Sequence, residues 1–241
     1  MHSFKATGKL YLIPTTLGDT PPLEVLPLSV KKKIEEIDEF IVENEKTARA
    51  FIKRITPKKA QPKLILHLLN KHTNAEDVPA FLNSCENGKS VGVLSEAGVP
   101  GVADPGADVV SIAHRRGIQV VPLVGPSSIL MAIMGSGLNG QNFAFNGYLP
   151  IDKQEQRKEI KRLEYLSLDK NQAQIFIETP YRNNKMLDEL CKSLHDQTQL
   201  CVACDISLPS EFILTQPISL WRHKLPDLHK RPAIFIIQES K

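Results

Sequence analysis

Short runs rich in Val, Ile and Leu alternate with amphipathic segments through the first half of this chain, and that alternation most constrains its fold. The strand-like runs are KLYLIPT, EFIVEN, KLILHL, SVGVLS and QVVPLVG. Between them lie PLSVKKKIEEI, EKTARAFIKRI, AEDVPAFLNSC and ADVVSIAHRRG, whose spacing predicts helices, and SSILMAIMGSG follows the fifth run. Strands this apolar need cover on both faces, and intervening helices supply it. The pattern therefore predicts an α/β fold with a mostly parallel, doubly wound sheet. Gly117 stands where a helix C-cap glycine belongs, after a basic last turn.

The pattern changes near FAFNGYLPIDKQEQRKE. Gly147 and Pro150 close the alternating region, and a highly charged helix is expected from about Asp152. After it come AQIFIETP, a helix RNNKMLDELCKSLH, and then LCVACDIS, EFILTQPISLW and RPAIFIIQE. Three strands with short links after one helix predict a second, α+β domain with mixed or antiparallel pairing. The expected domains are 1–149 and 150–241.

Charge says little about partners: 30 Lys+Arg face 27 Asp+Glu, a formal net charge of +3, so any basic surface must come from local clustering. The opening MHSFKATGKLYLIPTT has no apolar stretch leading to a small-residue cleavage site, and no apolar run is long enough to span a bilayer. The expectation is a cytoplasmic protein without a membrane partner. Cys201 and Cys204 have redox spacing, but they fall in a strand-like run, where positions three apart point to opposite faces. With Cys85 and Cys191 they read as core thiols. Histidines and cysteines show no ligand spacing, so no metal is expected.

In a doubly wound sheet, ligands bind beyond the carboxyl ends of the strands. Three such ends carry unusual loops: PTTLGD, SEAGVPGVADPG and GPSS. None is the phosphate loop GxxxxGKS/T, the dinucleotide fingerprint GxGxxG or the nucleophile elbow GxSxG. Phosphoryl transfer, hydride transfer and α/β-hydrolase chemistry thus lose their strongest support. Gly98, Gly101 and Gly106 either make tight turns only or bring bare backbone to a ligand such as adenosine with an amino-acid tail. In the second case the Asp104 carboxylate accepts from hydroxyls or an ammonium.

LYLIPTTLGD, SEAGVPGVADPG, VPLVGPSS, GSGL, FAFNGYLP and IFIETPYR occur in that order. In them the chain resembles the tetrapyrrole-methylase superfamily, the class III S-adenosylmethionine-dependent methyltransferases. Within it, the chain is most similar to the group that methylates a cytidine ribose 2′-hydroxyl in small-subunit ribosomal RNA. The resemblance implies a cofactor, S-adenosyl-L-methionine, in a cleft between two domains, and a homodimer. It implies cofactor contacts from Ser95, Gly98, Gly101, Val102 and Asp104, from Ser127 and Ser128, and from Glu178 and Thr179. Pro14, Thr15, Gly18 and Asp19 then face the substrate side.

The match departs from the family in places. Where the family has Glu-Asp-Thr-Arg after its second strand, this chain reads ENEK, which keeps Glu43 but puts Lys46 at the arginine position. Lysine keeps the charge and loses the fork that grips a phosphate, with Arg49 a turn away as its substitute. The usual SDAG is SEAG, which places the longer Glu96 on the substrate side. Leu208 stands at a lysine position, with Glu211 at the acid beyond it.

Methyl transfer to oxygen is an in-line displacement in which positioning supplies much of the acceleration. A ribose hydroxyl also needs a base or a nearby cation, and Glu43 with Lys46 is the expected catalytic pair. The alternative is that the two form a salt bridge or hold substrate without touching the proton. For RNA, KQEQRKEIKR and the set Arg49, Lys53, Arg54, Lys58 and Lys59 are two basic regions, or simply solvated faces. Tyr148 and Tyr181 line the cleft or belong to the core. A diverged paralogue acting on another RNA or a small molecule, or a cofactor-binding protein without catalysis, are the rival readings.

Overall fold

Lys9–Ile13 forms the first strand, β1, in the computed structural model, which describes residues 8–239. There follow α1 (Pro22–Val25), α2 (Leu28–Glu36), β2 (Glu39–Val42), α3 (Glu45–Ile55), β3 (Ile65–Leu68), α4 (Asn83–Glu86), β4 (Val91–Leu94), α5 (Gly106–Arg115) and β5 (Gln119–Pro122). The five strands pair in parallel in the order β3-β2-β4-β1-β5. Successive strand residues point to opposite faces, and both faces are covered. Leu10, Ile41, Val91 and Val93 lie under Val109, Ile112 and Ala113 of α5. Ile13, Phe40, Val42 and Leu94 lie under Val30 and Ile34 of α2 and Ala48, Ile52 and Ile55 of α3. This is the doubly wound sheet that the alternation predicts. One helix differs: AEDVPAFLNSC forms a 3-10 turn over Val78–Leu82 and then the single turn α4. Pro79 falls inside the expected helix, where it has no N–H to donate and its ring blocks the preceding turn.

The second half contains α6 (Ser128–Ser136), β6 (Phe143–Tyr148), α7 (Lys153–Asp169), β7 (Ala173–Ile177), α8 (Asn183–Ser193), β8 (Gln199–Cys204), β9 (Phe212–Pro217), α9 (Ile218–Trp221) and β10 (Ala233–Gln238). Its sheet runs β6-β7-β10-β8-β9. Only β6–β7 is parallel; the other pairs are antiparallel. The charged helix expected from about Asp152 is α7, and Asp152 caps it, its Oδ1 accepting from the N–H of Gln154 and of Glu155 at 3.0 Å.

The chain divides into two compact units at Ser127/Ser128, some twenty residues before the expected boundary at 149/150. The difference is α6 and β6. On the page of the sequence they continue the strand–helix alternation, yet β6 pairs with β7, and α6 packs on β8, β9 and β10. Which sheet a strand joins is a long-range choice that local periodicity does not encode. Cys201 and Cys204 sit on β8 facing opposite ways: Cys204 joins the core with Cys191, and Cys201 does not. All four cysteines are buried and free. Burial pushes the thiols of Cys85, Cys191 and Cys204 up to about 11, so they stay protonated.

Candidate active site at the carboxyl ends of the first sheet

The two helix layers diverge at β4. The helices α2 and α3, which follow β1 and β2, cover one face of the sheet, whereas α5, which follows β4, covers the other. Because β4 lies between β2 and β1, the chain leaving it turns away from both neighbours and opens a crevice on each side. The loops singled out from the sequence meet there.

On the β1 side the loops are tied together. Ser95, buried just beyond β4, donates its hydroxyl to the Gly98 carbonyl at 2.6 Å, and the N–H of Thr15 donates to the same oxygen at 2.9 Å. The hydroxyls of Thr15 and Ser95 lie 3.4 Å apart. Gly125 closes the arrangement from β5, since a Cβ there would sit 2.3 Å from the ring of Pro14. Gly98 and Gly101 have φ of 73° and 81°, a region glycine enters without a steric penalty. The Asp104 carboxylate then folds the loop around itself: Oδ1 accepts from the N–H of Gly101 at 2.7 Å and of Gly106 at 2.8 Å. Val102, between them, is exposed.

On the β2 side three carboxylates converge. Glu43, at the end of β2, borders a small crevice with Asp104, Pro105 and Gly106. Partial burial raises its pKa, and the negative charges of Asp104 and Glu96 raise it further; the Glu96 N–H, donating to it, offsets part of this. Glu96 reaches over to α3, where its Oε1 accepts from the Thr47 hydroxyl at 2.7 Å.

The cations expected here are placed differently. Lys46 is exposed in the first turn of α3, whose cap Asn44 accepts from the N–H of Lys46 and Thr47, and no ion pair joins Lys46 to Glu43. Arg49 is engaged within the fold: it pairs with Glu45 at 2.8 Å and donates to the Gln61 carbonyl at 2.8 Å. It is not presented as a guanidinium toward the crevice. Arg54 instead pairs with Asp19 at 2.7 Å, beside the turn in which Thr16 donates to Gly18. Thr47, Phe51 and Arg54 of α3 form one wall of a groove of about 240 Å³, opposite Thr15, Ser95 and Glu96. Sequence reasoning singled out neither Thr47 nor Phe51, although the buried stripe of Ala48, Ile52 and Ile55 leaves them on the neighbouring stripe of α3.

Other expected residues lie apart. Ser127 and Ser128 are half-buried where the two units divide. Glu178 and Thr179 follow β7 in the second unit. The Glu178 carboxylate, with its side chain 2% exposed, accepts from Arg182 at 2.9 and 2.6 Å and from the Thr179 N–H at 2.5 Å. Along α7, Arg157 pairs with Glu189, Lys161 with Glu164 and Arg162 with Glu159. Three of the five cations in KQEQRKEIKR are therefore neutralised within their own unit. Tyr148 and Tyr181 are both exposed. Among the described residues, no three His, Cys, Asp or Glu side chains converge as metal ligands.

This architecture has known relatives. The family described as Tetrapyrrole (Corrin/Porphyrin) Methylases matches residues 9–220. The protein named Ribosomal RNA small subunit methyltransferase I of Coprothermobacter proteolyticus is 31% identical over 212 residues, covering 85% of this chain and 91% of that one. Its namesake in Thermotoga maritima is 27% identical over 91% of this chain and 94% of the relative. Among solved structures, the methyltransferase CobJ superposes with a TM-score of 0.62 at 15% identity, covering 97% of this chain and 95% of that one. Uroporphyrin-III C-methyl transferase from Thermus thermophilus, complexed with S-adenyl homocysteine, does so with a TM-score of 0.55 at 17% identity, covering 96% and 98%. The structural likenesses concern the fold alone; the family match spans most of the sequence and both units. The chain belongs to the tetrapyrrole (corrin/porphyrin) methylase family.

Proposed function

We propose that this methyltransferase moves the methyl group of S-adenosylmethionine to a ribose 2′-oxygen of small-subunit ribosomal RNA. The observation that carries the reading is the loop beyond β4. It sits where the helix layers diverge, and it is closed on one oxygen of Asp104 while the other accepts no hydrogen bond among the described residues. Relatives named Ribosomal RNA small subunit methyltransferase I, matched over nearly their whole length, support the RNA substrate.

The residues fit the cofactor. The second oxygen of Asp104 suits the hydroxyls or ammonium of a nucleoside with an amino-acid tail. At Gly101 an added Cβ would meet nothing within 4 Å, so the backbone there is open to a close ligand. The Gly98 carbonyl is already doubly engaged and serves the loop instead. When bound, S-adenosylmethionine supplies a methyl group on a sulfonium.

The chain's own residues position the acceptor and take its proton. Glu43 is the proposed base. Burial and two neighbouring carboxylates make its ionised form more avid for a proton than an exposed glutamate, which suits removal of a proton from a hydroxyl as the oxygen attacks. Lys46, exposed on α3 and without an ion pair among the described residues, is proposed to hold the substrate's charge and not the proton. Thr15 and Ser95 keep the two loops in register. By the family resemblance we further propose a homodimer in the cytoplasm, with sedimentation velocity reading the first. Among the described residues, no helix is long and apolar enough to cross a membrane.

Calorimetry with S-adenosylmethionine, with ATP and NAD as controls, tests the cofactor. Methylation of isolated small ribosomal subunits with methyl-labelled cofactor tests the substrate. Selective binding with label in ribose supports the proposal. Binding without label in the RNA keeps the cofactor and transfers the search to another RNA or a small molecule. No binding to folded protein, with or without subunits, overturns the reading.

A further inference from the structure

The groove between α3 and the loops after β1 and β4 carries a guanidinium that the proposed reaction leaves without a role. Arg54 lines it and is 41% exposed, and its one side-chain hydrogen bond among the described residues joins Nη1 to Oδ1 of Asp19, itself 93% exposed. The remaining N–H groups of the fork are left to donate to another partner. An exposed ion pair of this kind holds its members weakly and is screened by salt. A phosphate offers a guanidinium two parallel acceptors where Asp19 provides one.

The surroundings point the same way. Of the cations on α3, Arg49 is engaged by Glu45 and the Gln61 carbonyl, whereas Lys46 and Lys53, seven positions apart and so on one side of the helix, make no ion pair among the described residues. Phe51 adds an apolar wall, and Glu96 is held back by the Thr47 hydroxyl. At about 240 Å³ the groove lies below the ~300 Å³ at which pockets for whole drug-sized ligands begin. It therefore suits part of a nucleotide, a sugar with its phosphate. It opens beside Ser95 and Thr15, the residues that stitch together the proposed cofactor loops.

We propose that Arg54 is the substrate-phosphate ligand of this enzyme and that Asp19 is its displaceable counter-ion, holding the guanidinium across the groove until an RNA phosphate exchanges with it. This rests on the RNA reading above. It assigns the phosphate grip to Arg54, where the sequence pointed to Lys46 and Arg49. Asp19 thereby becomes a competitor of the substrate as well as a positioning residue.

The test measures binding of the small-subunit RNA as a function of salt for the full chain and for Arg54→Ala, Arg54→Lys and Asp19→Asn, with Arg115→Ala, in the last turn of α5, as control. Arg54→Ala is expected to weaken RNA binding by about tenfold and to make the slope of log K against log salt shallower by about 0.7–0.9, the signature of one lost phosphate contact. Arg54→Lys restores the slope and only part of the affinity. Asp19→Asn strengthens binding by a few-fold. S-adenosylmethionine affinity, read by calorimetry, stays unchanged throughout. If the unaltered chain binds the RNA while Arg54→Ala keeps both affinity and slope, or Asp19→Asn weakens binding, the assignment is overturned. If the unaltered chain binds the cofactor but no small-subunit RNA, the RNA reading fails first and the assignment falls with it.

Discussion

The strand-end loops after β4 and β7 treat their carboxylates in opposite ways. Beyond β7, Glu178 is buried against both arms of Arg182 and the Thr179 N–H, so its charge is answered inside the fold. Beyond β4 and β2, Glu43, Glu96 and Asp104 gather with, among the described residues, no lysine or arginine paired to any of them. The first arrangement fixes a turn. The second leaves a carboxylate whose ionised form is held at a disadvantage, and that disadvantage is available to chemistry. Charge in a strand-end loop is thus answered inside the fold where a guanidinium meets it, and its proton is held more tightly where other acids do.

That contrast can be broken residue by residue. The largest expected effect is on rate: Glu43→Gln lowers kcat by about 10²-fold or more, the scale of a lost general base, with S-adenosylmethionine affinity unchanged by calorimetry. An unchanged kcat would remove Glu43 from the proton's path. Arg182→Ala should cost about 2–3 kcal/mol in denaturant unfolding, the lower end of the cost of stranding a buried charge, because Arg182 is itself partly exposed. The double change Arg182→Ala with Glu178→Gln should recover much of that loss. Ser95→Ala removes the hydroxyl that fixes the Gly98 carbonyl and should cost about 1 kcal/mol, with a measurable loss of cofactor affinity.

The smallest effect has the opposite sign. The folded state raises the Glu43 pKa, so the folded protein holds that proton more tightly than the unfolded chain does. The stability this contributes is complete below the usual carboxylate range and is lost as pH rises through the raised folded value. Glu43→Gln should therefore raise Tm slightly at neutral pH, and the gain should disappear in acid. A Tm that falls equally at both pH values would mean that Glu43 is structural, like Glu178.

Much of the first unit was legible because its signals are local. The apolar runs and the Gly117 stop each act within a turn or two of chain. The candidate loops were legible for the same reason, since positive φ and tight approach leave glycines in the sequence. Side-chain partnership was not. Arg49 and Arg54 look alike on α3, yet Arg49 pairs with Glu45 one turn back on its own helix, whereas Arg54 is drawn to Asp19 in the loop after β1.

By itself the sequence determined most of the kinds of element, their order and the loops that carry the candidate site, because helix and strand periodicity, capping and turn chemistry depend on near neighbours. Only the tertiary structure decided that β6 and α6 belong to the second sheet, that carboxylates from two strand ends gather around Glu43, and that Arg54 rather than Arg49 faces the groove. Those choices depend on pairing and burial summed across distant segments, where many small energies compete and no single residue announces the result.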